Sequence, residues 1–142
     1  MNVRRITVYG TPLPQGSKSG RVVNGKAILT EGFGDGPKRK RAWREAVAEA
    51  ARAWVRDAGS PAPLDGPVHL RVHFFLARPK SAPKSVTRPF RKPDLSKLVR
   101  AVEDSLSGLL YVDDARIVDL GASKSFTDSV PCCEISVMEA HP

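Results

Sequence analysis

Residues 92–119 read K-P-D-L-S-K-L-V-R-A-V-E-D-S-L-S-G-L-L-Y-V-D-D-A-R-I-V-D, and no other stretch limits the fold as much. Apolar residues recur at Leu95, Leu98, Val99, Val102 and Leu106, the spacing of one helical face. Pro93 and Asp94 supply a start for that helix and Gly108 a stop. The chain then turns back through the apolar run 109–112 and delivers Asp113 and Asp114. If that run is a strand packed beside the helix start, three carboxylates converge. Convergent carboxylates repel unless a cation lies between them. Hard oxygen ligands around a small cation suit magnesium, with manganese as a second choice. On spacing alone, Asp94 also reads as a plain N-cap.

The remaining segments supply the rest of one α+β domain spanning residues 1–142. Ile6 and Val8 share one face of a first strand at 3–9. Pro and Gly interrupt 11–20, which reads as a loop carrying Lys18. Asn24-Gly25 between apolar runs predicts a β-hairpin over 21–30. A helix follows at 38–58 with Trp43, Val47, Ala51 and Trp54 on its apolar stripe. Val68, Leu70, Val72, Phe74 and Leu76 alternate strictly, the clearest strand in the chain, with His69, Arg71 and His73 facing the other way. After the aspartate doublet, a strand is expected at 115–121, a polar turn region at 123–130 and a closing strand at 132–138. Cys132 and Cys133 are adjacent, which disfavours a disulfide between them. Alternation sends them to opposite faces.

Net charge is +8, and its distribution is uneven. Residues 1–92 hold nineteen Lys/Arg against six Asp/Glu, whereas residues 93–142 hold four against nine. A basic body around a small acidic centre suits a protein that grips phosphates and cuts one of them, so nucleic acid is the expected partner. Lys38, Arg39, Lys40 and Arg41 crowd the expected start of the first helix, where they oppose its macrodipole and a phosphate would relieve them. The acid-free loop 78–92 carries Lys84, Arg88, Arg91 and Lys92, and is expected to track a phosphate backbone and to order fully only on DNA. The longest apolar runs are far too short to span a membrane and the first residues lack the apolar core of a signal peptide, so a cytoplasmic location is expected.

The series P-D-L-S-K-L-V-R-A-V-E-D-S-L, then D-D-A-R-I-V, resembles the core of RusA-type Holliday junction resolvases, whose pattern is D-L-D-N-L-x-K-x-x-x-D-x-L followed by an aspartate doublet and an apolar strand. The match covers roughly a quarter of the chain, and T-P-L-P-Q-G-S-K at 11–18 is similar to the opening of phage-type members. The resemblance implies a mixed sheet of about five strands with two main helices, a homodimer, and magnesium-dependent cleavage of branched DNA. It assigns Asp94 and Asp114 as metal ligands, with Asp113 next and Arg100 at the position of the family's lysine. In-line hydrolysis of a phosphodiester needs an activated water and a stabilised leaving oxygen, which one or two metal ions supply. Two departures bear on activity. Ser96 stands where the pattern has its second Asp, and Arg100 keeps the charge of the lysine but not its compact ammonium. Two further readings therefore stand beside the nuclease: a junction-binding relative that cleaves poorly because of Ser96, and a basic DNA-binding protein without an active site.

Overall fold

The computed structural model describes residues 3–16, 19–23, 26–30 and 35–141. Its centre is β4, Val68–Ala77, whose even-numbered residues Val68, Leu70, Val72, Phe74 and Leu76 are all buried. The strand has a partner on each side. β6, Cys132–Glu139, pairs antiparallel on one edge, and β5, Ile117–Thr127, pairs parallel on the other. β1, Val3–Tyr9, pairs antiparallel with β6 and completes the order β1-β6-β4-β5. The α+β expectation holds, but the main sheet has four strands rather than five. β2, Ser19–Val23, and β3, Lys26–Thr30, pair only with each other, as a separate two-stranded sheet. β2 thus starts within the segment expected to be loop. Asn24-Gly25 and Lys18 lie outside the described residues.

Two helices cover one face of the sheet. α1, Asp35–Asp57, buries Trp43, Val47 and Ala51, and packs against β1 and α2. It begins three residues before the expected start, so Lys38 to Arg41 fall in its second turn rather than at its first residues. The opposition to the helix dipole, which fades within one turn, is correspondingly weaker. α2, Leu95–Leu106, buries Leu98, Val99, Ala101, Val102 and Leu106. Gly108, at φ +82°, follows the cap in the left-handed conformation that glycine adopts without strain. The core joins these helix stripes to the inner residues of β1, β4 and β6. Cys133 is buried within it, and burial pushes its thiol well above the usual range.

Parallel strands cannot be joined by a tight turn; the chain must cross over between them. Here the loop 78–94 and α2 make the crossover from β4 to β5, so α2 runs back against the strand direction. Two expectations change as a result. The polar segment 123–127 is not a turn: it continues β5, pairing from His73↔Ser123 to Ala77↔Thr127. The run 109–112 is not a strand beside the helix start. It is a buried turn at the helix end, with Leu110 and Tyr111 fully buried. The Tyr111 hydroxyl donates to the Glu103 carbonyl at 2.8 Å, and residues 64 and 111 form an isolated bridge. Arg4, buried in β1, donates to the carbonyls of Leu110 (3.3 Å) and Ala62 (3.0 Å) and so ties this turn to the sheet. Among the described residues, no helix is long and apolar enough to cross a membrane.

Candidate active site and nucleic-acid interface

The crossover decides where the acids lie. Asp94 is the N-cap of α2, at the end of the sheet where β4 finishes. Asp113 and Asp114 follow the helix and precede β5, whose first residue pairs with the first residue of β4. The expected convergence of Asp94, Asp113 and Asp114 therefore does not occur within one chain. Among the described residues, no group of three or more His, Cys, Asp or Glu side chains is arranged to hold a metal ion. The cause is the turn at 109–112: packed on the helix end, it leaves the doublet there.

Asp94 occupies the cap position, yet its side chain makes no capping hydrogen bond. The carboxylate is about half exposed, with the Lys97 ammonium 3.9 Å away. It lies in a cleft of about 400 Å³ lined by Pro14, Gln15, Lys40, Lys92, Pro93 and Lys97. Three lysines from three segments thus line the cleft that holds this acid. Lys40 comes from α1, Lys92 from the end of the basic loop and Lys97 from α2. The Gln15 backbone N–H donates to the Lys97 carbonyl at 3.0 Å, which fixes residues 11–16 against α2.

The other acidic locus gathers around the end of α2. Asp114 lies close enough to Glu103 to act on it electrostatically, together with Asp104. Burial and these two carboxylates, in that order, raise the Glu103 pKa above its ordinary 4.5, while Arg100 opposes them. Burial pushes the Tyr111 phenol far up as well, with Glu103, Asp114 and Asp104 adding to it. Asp113 accepts a hydrogen bond from the Ala115 N–H at 2.8 Å and caps the single 3-10 turn Asp114–Arg116. Glu103 lies nine residues past Asp94, roughly 14 Å along the helix axis at 1.5 Å per residue. Ser96, Arg100 and Glu103 follow one another at helical spacing along the face that connects the two loci. Ser96 and Arg100 are exposed.

Among the basic residues, Lys40 and Lys92 reach the Asp94 cleft. Arg41 instead lines a groove between α1 and the end of α2, with Arg44, Arg52 and Asp104. Lys38, Arg39 and Lys84 are exposed. Arg88, Arg91 and Lys92 border a smaller cavity beneath the 78–92 loop. That loop is not left to order on DNA. The Arg78 guanidinium donates to the carbonyls of Val86 and Pro83, each at 2.6 Å, and stacks over Phe126. The Lys124 ammonium donates to the carbonyls of Arg91 and Pro93, each at 2.8 Å. Lys124 thus holds the backbone immediately before Asp94.

Comparison with known proteins identifies the family. The family model described as endodeoxyribonuclease RusA matches residues 10–138. The chain belongs to the RusA endodeoxyribonuclease family. It is also 31% identical to "Uncharacterized protein YqaN" of Bacillus subtilis (strain 168), over 98% of both chains. The family is one of endodeoxyribonucleases, so at the coarse level the chain is a nuclease. Two residues beside these loci escaped the sequence reading. Glu103 stood in an ordinary polar helix face, and only its position three residues after Arg100 aligned it with Ser96. Lys124 fell in a segment expected to be turn.

Proposed function

We propose that this chain is a magnesium-dependent endodeoxyribonuclease that acts as a homodimer on branched DNA, four-way junctions first, in recombination, repair or phage DNA processing. One observation carries the reading: Asp94 sits at a helix N-terminus without capping it, half exposed, with Lys97 3.9 Å away and Lys40 and Lys92 lining the same cleft. A plain cap would turn its oxygens inward to the backbone. An acid held outward among lysines suits a cation and a phosphate bound together.

The donor chemistry fits a hard divalent ion. Magnesium usually keeps several waters and takes only one or two carboxylates plus phosphate oxygens. When bound, it would supply an activated water and stabilise the leaving oxygen; manganese has the same ligand preference. Asp94 and Asp114 are the proposed ligands. Asp113, engaged by the Ala115 N–H, orients the doublet. Lys40, Lys92 and Lys97 hold the backbone phosphate, and Arg100 faces the charge that develops on it. Lys38, Arg39, Arg41, Lys84, Arg88 and Arg91 extend the basic path for the flanking DNA.

The two acidic loci lie at opposite ends of α2. A two-fold copy with the helices antiparallel sets Asp94 of one chain against Asp114 of the other. A symmetric junction is cut by a symmetric enzyme on the same logic. A second reading, junction binding with poor cleavage, is favoured by Ser96, which leaves the first turn of α2 without its second acid.

The test is nicking of a synthetic four-way junction and of linear duplex, with and without magnesium, by wild type, Asp94→Asn and Asp114→Asn. The reading expects magnesium-dependent nicks in the junction that both variants lose. Equal cutting by wild type and variants would remove the assigned site. Tight junction binding without cutting would select the second reading.

A further inference from the structure

The cavity beneath the 78–92 loop adjoins the Asp94 cleft, but its apolar interior has no role in the site described above. It encloses about 150 Å³, lined by Pro79, Ala82, Val86, Phe90 and Phe126. An apolar cavity of about that volume holds one benzene-sized ring. Its walls are set without a ligand, because Arg78 and Lys124 pin the loop at both ends. Phe90 stands at its border and is 70% exposed, an unusual place for a phenylalanine. The Arg91 guanidinium lies over the Phe90 ring, 5.7 Å from its centroid.

Two observations indicate the occupant. The rim is cationic, formed by Arg88, Arg91 and Lys92, and the loop carries no acid. Lys92 also lines the Asp94 cleft, so the two cavities adjoin across a single residue. A strand whose phosphate rested against Lys92 would have its neighbouring base at the mouth of this cavity. We propose that this pocket receives one unstacked nucleobase of branched DNA, stacked on Phe90. A branch point offers bases already loosened from the stack, so the unstacking cost that a flipped base normally incurs is small. Linear duplex offers none. The pocket would then contribute to the choice of branched over linear DNA. The inference rests on the nuclease reading for its substrate, but not on cleavage.

The test measures binding without magnesium, in a chelator, on a four-way junction and a linear duplex that carry 2-aminopurine. Wild type, Phe90→Ala, Phe90→Trp and the pocket-filling Ala82→Phe are compared. Phe90 is exposed, so its variants keep the fold. Wild type is expected to raise 2-aminopurine fluorescence at the branch point only. Phe90→Ala and Ala82→Phe are expected to lose that rise and at least about fivefold in junction affinity, the lower end of what one base–aromatic stack is worth. Phe90→Trp should keep both, and duplex affinity should not change. Junction binding with the same fluorescence in all four proteins would overturn the inference and leave the nuclease reading intact. Failure of wild type to bind any DNA would overturn both.

Discussion

Ser96 is exposed on the first turn of α2, two residues past Asp94, where its hydroxyl brings no charge to the proposed metal site. Restoring the acid there is the most informative single change. Ser96→Asp is expected to raise magnesium-dependent junction cleavage by at least about tenfold, equivalent to ~1.4 kcal/mol of barrier. No gain would mean that the native ligand set is already complete. Glu103 makes a different prediction. Its pKa is raised above 4.5, so the folded state holds this proton more tightly than the unfolded chain does. That contribution to stability is complete below the unfolded pKa and is lost as pH rises through the folded one. The urea midpoint of wild type should therefore fall relative to Glu103→Gln as pH rises from below the ordinary carboxylate range through the raised folded-state pKa of Glu103. A pH-independent difference would contradict the assignment. Asp94 was legible in the sequence because a Pro-Asp pair before an amphipathic run marks a helix start. Its failure to cap was not legible, since composition does not report where a carboxylate turns.

At the scale of elements, periodicity revealed what packs by a single rule. β1, β4 and β6 alternate because one face meets the helices and the other does not. α2 shows its stripe because one side is core. Two segments escaped because their environment is not one-sided. The turn at 109–112 is an apolar run buried without being a strand, and a short apolar run carries no period to tell them apart. The second half of β5 is polar because it lies at a sheet edge beside β4, where pairing rather than burial keeps it extended. That half carries Lys124, whose two hydrogen bonds fix the chain before Asp94. Lys124→Met should lower stability by only about 1–2 kcal/mol, since charged hydrogen bonds in a partly exposed place contribute modestly. Cleavage should fall by a larger factor than that, with loss of the rigid approach to the cleft. Urea midpoints and kcat/KM measured side by side would check it. Equal falls in both would reduce Lys124 to an ordinary structural contact.

For the whole molecule, the parallel pairing of β4 and β5 governs the chemistry. It sends α2 back along the strands and parts Asp94 from Asp114 by most of the helix. The charge asymmetry visible in the sequence translates into lysines that share a cleft with the first acid, while Glu103, Asp104, Asp113 and Asp114 outnumber Arg100 and Arg116 at the second locus. In the proposed dimer, each chain offers a phosphate-gripping half and a carboxylate-rich half of one centre, and two copies in antiparallel register supply both halves twice. The most direct measurement mixes Asp94→Asn and Asp114→Asn, each inactive alone, after joint refolding. The mixed dimer keeps one centre with both native aspartates, so magnesium-dependent nicking of a four-way junction should return to about a quarter of the wild-type level, half the dimers being mixed with one intact centre each. A mixture as inactive as its two components would contradict a centre shared between chains.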